Sequence, residues 1–421
     1  MTPFADEPYA GLLLSGGHDS RWSYLVRSPE AVLVVTDGRT VDLANILVPL
    51  LPSVSQRDPA GPPFQGGVVG MATYELAHAF EKLPGGRRSG WPQLVLARYD
   101  AVLAFDHAEH RVLAIGPGSA DWLGAASSSR RWAGPLCGKV RSLTSRRRHE
   151  ASVGAVVDRI RAGEIFQANI ARRWEGRLCD GAGPFDVFRR LADSSPAPHA
   201  AYWRLPDRAL VSNSPEQFLS VRRDGLGLVA QTRPIKGTRP RGATPEHDAA
   251  LAAELLASAK DRAENLMIVD LMRNDFARCC APGSVEVLEF CRLQSFANVH
   301  HLTSCVRGRL QPGRTAWDLF CAAFPPGSIT GAPKVQAMTV IAGHEPARGP
   351  HYGSLFWAGG DGSLEASVLI RTLAFRQAAD GWRFGVRAGG GVVADSDPVA
   401  ECMETEDKFS AIRAALTGVD A

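Results

Sequence analysis

Residues 150–171 read EASVGAVVDRIRAGEIFQANIA, a run that opens with one periodicity and closes with another. Its first part returns apolar residues every three or four positions and is expected to form an amphipathic helix. Its last part, EIFQANIA, is expected to be a strand. Toward the amino terminus, residues 10–105 break into short apolar runs between Gly and Pro punctuation: GLLLS, AVLVVTDG, GGVVGMATYELA and LVLARYDAVLAFD. These predict strands joined by turns, with few helices. Residues 116–149, rich in Gly, Ser, Ala and Arg, predict a connection. Toward the carboxyl terminus, 246–278 predict two helices, 352–376 and 382–394 strands, and 396–416 a final helix. The class expected is α+β, with an amino-terminal region over 1–140 and a more strongly patterned region over 150–416.

Composition narrows the function. The chain has 421 residues, 45% hydrophobic and 22% charged, with a formal net charge of +3. That length holds one large domain or two ordinary ones. The charge is too small to make nucleic acid or a membrane surface the expected partner. Arg146, Arg147 and Arg148 form a basic run without interleaved aromatics and are expected to be a solvated linker. No apolar stretch reaches the roughly 18 residues of a membrane span, and no secretory leader pattern is expected at the start. The eight cysteines, at 137, 179, 279, 280, 291, 305, 321 and 402, form no CxxC pair. Reduced, buried thiols in a cytoplasmic protein are therefore expected, rather than a zinc ribbon or a thioredoxin-type motif.

Four segments carry chemistry. In DRAENLMIVDLMRND (261–275), Asp261 and Glu264 share a helix face, and in AECMETEDK (400–408) Glu401, Glu404 and Lys408 share another. Carboxylates on two helices suit Mg²⁺, which takes one or two protein carboxylates and is completed by water and an anionic substrate. Surface ion pairs at helical spacing are the plainer alternative. AGGGVVADSDP (388–398) and FPPGSITGAPK (324–334) offer backbone N–H groups to an anion, or are simply tight turns. In PIKGTRPRG (234–242), Lys236 is a nucleophile if burial or the nearby Arg233, Arg239 and Arg241 keep it neutral; otherwise it is a solvent-facing lysine. In SNSPEQFL (212–219), Glu216 is a general acid if it lies in an apolar cleft, and an ordinary exposed glutamate if not.

Taken in order, GEIFQANIARR, SNSPEQFL, PIKGTRPRG, DRAENLMIVDLMRND, VHHLTS, FPPGSITGAPK, LIRTL, AGGGVVADSDP and AECMETEDK resemble the chorismate-utilising enzymes over about 163–408. LLLSGGHDSRWSYL and GGVVGMATYELA are similar to that family's amino-terminal elements. The resemblance implies two β-sheets packed face to face with helices outside. It implies that Glu264 and Glu404 hold Mg²⁺ with Asp261 and Glu401 nearby, and that Mg²⁺ binds the ring carboxylate of chorismate. It implies further that Arg371 and Tyr352 bind the enolpyruvyl carboxylate, assisted by Gly389, Gly390 and Gly391. Thr238, His301, Thr330 and Lys408 would line the same pocket, and Glu216 would protonate the departing 4-hydroxyl.

Two positions divide the family. Gln167 stands where the water-adding members carry a lysine base, which implies ammonia as nucleophile. PIKGT resembles the branch that forms 4-amino-4-deoxychorismate, through attack of Lys236 on the ring 2-position, whereas the anthranilate branch usually reads PIAGT. Amination at the 2-position, giving anthranilate or 2-amino-2-deoxyisochorismate, is the alternative; a non-catalytic chorismate-binding regulatory subunit is another. No glutamine amidotransferase segment is recognisable, so a separate amidotransferase subunit is the expected partner. Phe356 and Trp357 replace the family's frequent Gly-Tyr, and Cys402 and Met403 its Tyr-x; packing changes are expected there.

Overall fold

The computed structural model describes residues 1–14, 21–52, 58, 60–84, 88–125, 132–296 and 299–418. Part of the amino-terminal LLLSGGHDS segment, residues 15–20, lies outside these.

Among the described residues two antiparallel sheets dominate. The first has eleven strands in the order Gly331–Ala332, Gln167–Leu178, Gly381–Val392, Thr372–Ala378, Arg208–Ser214, His199–Leu205, Gly11–Leu13, Trp22–Val26, Val102–Asp106 and Arg111–Ile115, with Cys137–Ser142 also on Gln167–Leu178. The second has ten, in the order Ile235–Pro240, Val299–Arg309, Gly227–Arg233, Gln217–Asp224, Leu364–Val368, Ser354–Ala358, Gly67–Ala72, Leu94–Tyr99 and Ala31–Val35, with Glu286–Ser295 also on Val299–Arg309. The 1–140 and 150–416 stretches share both sheets: Gly11–Leu13 pairs with His199–Leu205, and Gly67–Ala72 with Ser354–Ala358.

The period of two along each strand sorts the core into layers. Val69 and Met71, Ala201 and Trp203 turn toward the other sheet and pack in one cluster with Tyr24, Tyr99 and Trp357. Their neighbours face outward. Val68 and Ala72 pack under helices, while Ala200 and Tyr202 pack against Phe185, Phe188 and Phe409. Strands covered on both faces carry no polar alternation, which is why the sequence reads as unbroken apolar runs. Within the inter-sheet layer the Trp203 indole donates to the Tyr99 hydroxyl at 3.1 Å, and that hydroxyl donates to the Tyr9 carbonyl at 2.6 Å.

Among the described residues seven α-helices flank the sheets: α1 Arg146–Arg161, α2 Pro184–Ser194, α3 Pro245–Ala257, α4 Ala259–Ala277, α5 Ala316–Ala323, α6 Lys334–His344 and α7 Pro398–Thr417. Their ends follow local chemistry. Ser145 caps α1, accepting from the Arg148 amide, and Ser258 caps α4 through the Asp261 amide. α7 begins with Asp397 as cap and Pro398 in its first turn, and stops at Gly418, where φ is +71°.

One expectation is corrected here. Arg146–Arg148 are solvent-exposed, yet they form the first turn of α1, and Cys137–Ser142 is a strand of the first sheet. Cations at a helix start oppose the helix dipole, so the run does not resemble a helix beginning. The Ser145 cap and the buried face His149, Val153, Val156 and Val157 override it. Phe356 and Trp357 lie in the core, as does Cys402, whereas Met403 is exposed.

Candidate active site

The ends of several strands and two helices come close together here. α4 contributes Asp261 and Glu264, and α7 contributes Glu401, Glu404 and Lys408. The strand Gly381–Val392 lies against α7, and only glycine fits where it does so. A Cβ on Gly390 would stand 2.7 Å from Glu401 Oε2 and 3.5 Å from Glu404 Oε1. A Cβ on Gly391 would collide with Gln167 Nε2 and stand 2.9 Å from Lys236 Nζ. Gln167 and Lys236 therefore abut the same piece of backbone. Lys236 is half-buried, and the positive φ of Gly237 (+91°) turns the chain immediately after it.

The acidic groups differ in state. Burial raises the carboxyls of Glu264 and Glu401 above the usual range; Lys236 and Lys260 oppose it at Glu264, while repulsion from Glu404 adds to it at Glu401. At Glu404 lost hydration acts the same way, but its ion pair with Lys408 outweighs it and holds the group below that range. Lys408 also donates to the Gly389 carbonyl at 2.9 Å. Lys260 reaches across the helices, 3.9 Å from Glu264 and 3.8 Å from Glu401. Asp261 is drawn aside to Arg239 at 3.4 Å.

Glu216 is 4% exposed, in the connection between Arg208–Ser214 and Gln217–Asp224. Burial raises its carboxyl to about 7, against the pull of Lys236 and Lys408. Ser328, from the FPPGSITGAPK segment, lies beside it, buried and short of good hydrogen-bond geometry. Composition gave no reason to choose Ser328; only its place two residues before Thr330 would have marked it. Thr330 is fully buried, and its amide neighbourhood joins the Gln167 strand, with Asn169 N donating to Thr330 O at 2.9 Å. His301 pairs through Nδ1 with the Thr238 hydroxyl at 2.8 Å. Burial, with Arg371 and Lys408 nearby, lowers the imidazole to about 3, so it is neutral at physiological pH.

Arg371 and Tyr352 both adopt left-handed backbone, φ +48° and +67°. Such a conformation in a non-glycine residue costs of order 1–3 kcal/mol and persists where surroundings enforce it. Here Tyr352 N donates to Leu369 O at 2.8 Å and Leu369 N to Gly353 O at 2.9 Å, which brings the two residues into one backbone knot. Their side chains make no bond to each other. Among the described residues Lys236 and the Arg371 guanidinium make no hydrogen bond or ion pair, and the Gln167 amide and Tyr352 hydroxyl are buried without a partner. Unpaired buried polar groups are costly, so each of these is a candidate to receive a polar ligand.

The arginines expected around Lys236 are a correction. Arg233 pairs with Glu289 at 2.9 Å, Arg239 with Glu254 at 2.8 Å, and Arg241 with Asp248 at 2.7 Å. The side chains in a strand alternate faces and each found its own acid, so sequence proximity did not become a cluster.

Comparison with known proteins fits this arrangement. The family model described as chorismate binding enzyme matches residues 10–414. The chain belongs to that family. Among curated members of the chorismate-binding enzymes, aminodeoxychorismate synthase component 1 of Klebsiella aerogenes is 37% identical, covering 98% of this chain and 94% of its own. Anthranilate synthase component 1 of Thermus thermophilus is 38% identical, covering 87% and 80%. The crystal structure of anthranilate synthase component I from Streptococcus pneumoniae superposes with a TM-score of 0.82 at 27% identity, covering 95% of each chain. The two-sheet architecture expected for a chorismate-utilising enzyme is therefore the observed one. No helix among the described residues is long and apolar enough to cross a membrane.

Proposed function

We propose that this chorismate-utilising enzyme replaces the 4-hydroxyl of chorismate with ammonia, forming 4-amino-4-deoxychorismate. The observation that carries the reading is the placement of Lys236: its unpaired amine faces the same backbone as Gln167, within the electrostatic reach of Glu216. The free Arg371 guanidinium and the Tyr352 hydroxyl would receive the enolpyruvyl carboxylate, and the backbone of Gly389–Gly391 would complete the wall.

The chemistry follows from these groups. The Lys236 amine bonds through its nitrogen lone pair to ring C2, both ring double bonds shift by one position, and the C4–O bond breaks. Hydroxide is a poor leaving group, so the proton of Glu216 is added as it departs and water is released. Ammonia then bonds to C4, both double bonds return to their places, and the C2–N bond to Lys236 breaks. Gln167 has no basic nitrogen with which to activate water, which favours ammonia over hydrolysis. The enolpyruvyl group is untouched, and a lyase that removes it would yield 4-aminobenzoate.

Magnesium fits the residues in part. The donors are hard oxygens, and Glu264 and Glu401 flank a shared cation, Lys260. Among the described residues no three acidic or imidazole groups form a ready cage. Two carboxylates completed by substrate are what Mg²⁺ accepts, so Glu264 and Glu404, with Glu401 and Asp261 adjacent, would hold it. It would neutralise the ring carboxylate. Ammonia from glutamine would require a separate amidotransferase, a partner that the relatives' designation as component 1 favours.

Chorismate, Mg²⁺ and an ammonium salt are expected to give a product that keeps the enolpyruvyl group and is amino-substituted at C4. Lys236→Ala is expected to lower its formation at least about 10²-fold at low ammonia. Anthranilate with released pyruvate would instead assign amination at C2, and chorismate binding without turnover would assign a regulatory role. Chelation with EDTA is expected to abolish turnover and Mg²⁺ to restore it; full activity after chelation would remove the metal from the reading.

A further inference from the structure

Next to these residues lies a buried charged cluster that none of these roles uses. Arg348 is 3% exposed. Its guanidinium donates to Glu345 at 2.9 and 3.0 Å, to the Ile329 carbonyl at 3.0 Å and to the Asn169 carbonyl at 2.7 Å. Glu345 also accepts the Ala171 amide at 2.7 Å and Arg387 at 3.1 Å. Glu75 takes the Arg348 and Gly349 amides at 2.6 and 2.9 Å, fixing the loop from its other side. The Tyr352 ring lies against the guanidinium, 4.5 Å from it, and the Tyr74 ring at 4.7 Å.

Three of the Arg348 contacts end at or next to residues assigned to the site. Asn169 is two residues from Gln167 on the same strand, Ile329 precedes Thr330, and Tyr352 is itself the residue read as a carboxylate ligand. A buried ion pair is weak evidence for stability, since well-packed apolar side chains often serve as well. A planar fork that holds two carbonyls and one carboxylate at fixed angles does something an apolar cluster cannot: it sets where three segments stand relative to one another.

We propose that Arg348, clamped by Glu345, is the positioning residue that presents Tyr352 to the substrate carboxylate. This rests on the reading of Tyr352 as a substrate ligand. A stacked guanidinium restricts the ring to one plane, and among the described residues the Tyr352 hydroxyl is buried without a hydrogen-bond partner.

A double-mutant cycle tests this. Tyr352→Phe and Arg348→Lys are each expected to raise the chorismate KM about tenfold, as for a lost buried hydrogen bond, with kcat changed less. The double variant is expected to be no worse than about tenfold, because both remove one interaction. Effects that multiply to about hundredfold would overturn the proposal, as would an Arg348→Lys enzyme with a lower melting temperature and an unchanged KM. If Arg348→Lys does not fold, Glu345→Gln replaces it in the cycle; failure of both to fold would make the cluster structural and also overturn it. An unchanged KM in Tyr352→Phe alone would remove the residue from the substrate and the proposal with it. Product identity in the same assays reports separately on amination at C4.

Discussion

At Glu216 the fold takes a side chain that would ordinarily be ionised and leaves it poised near neutrality. The cause is burial, which raises the carboxyl to about 7. The proposed step needs the protonated form. The sign follows: the limb of kcat/KM that Glu216 controls, expressed per un-ionised ammonia, is expected to fall as pH rises through about 7. Glu216→Gln is expected to lower kcat by about 10²–10⁴-fold and to remove that limb. A falling limb that survives in Glu216→Gln would give the titration to another group. The sequence put Glu216 after a proline between two apparent strands, which is where it lies, but not its environment. Desolvation is a property of what packs around a residue, and the groups that pack here, Ser328 and the Ile235 backbone, come from distant segments. The three arginines near Lys236 make the same point in reverse: adjacent in sequence, they disperse to Glu289, Glu254 and Asp248.

Among elements, the helices α4 and α7 were legible because their carboxylates recur at helical spacing and their caps are ordinary: Ser258 and Asp397. The start of α1 was not, because its first turn carries three cations. The FPPGSITGAPK segment was marked as a glycine-rich loop, yet its last residue has a separate task. Lys334, at the start of α6, donates to Asp275 of α4 at 2.7 Å and to the Ala323 carbonyl ending α5 at 2.6 Å. The pair is nearly buried, with side-chain exposures of 11% and 5%. It ties three helices around the loop that carries Ser328 and Thr330. Lys334→Met would leave Asp275 buried without its cation, and burial already pushes that carboxyl up. A destabilisation of about 3–5 kcal/mol is expected in denaturant unfolding, with much of it recovered by adding Asp275→Asn. A loss under 1 kcal/mol would show the pair to be solvent-screened and not a clamp.

Across the whole molecule, the strands from 10–105 read correctly as strands, but their partners were invisible. Pairing is long-range, and unbroken apolar runs carry no face label. The outcome is an interleaved pair of sheets. Gly11–Leu13 is hydrogen-bonded to His199–Leu205 and Gly67–Ala72 to Ser354–Ala358, and the layer between the sheets draws Tyr24, Val69 and Tyr99 from one stretch and Trp203, Leu210 and Trp357 from the other. The side chains proposed to act in catalysis come from Gln167 onward, yet the frame that holds them is shared. A fragment starting at residue 143 would expose the strand edges of His199–Leu205 and Ser354–Ala358, the part of Gln167–Leu178 that Cys137–Ser142 now pairs with, and the apolar side chains now covered by the amino-terminal strands, an arrangement prone to aggregate. It is therefore expected to lack a cooperative thermal transition by circular dichroism and to bind no chorismate. Co-expression with residues 1–142 as a separate chain is expected to restore both, because the missing strands would return to their partners without a covalent link. A cooperative melt in the isolated fragment would mean that the carboxyl-terminal stretch closes its own core, and that the amino-terminal strands are a cover rather than part of the frame.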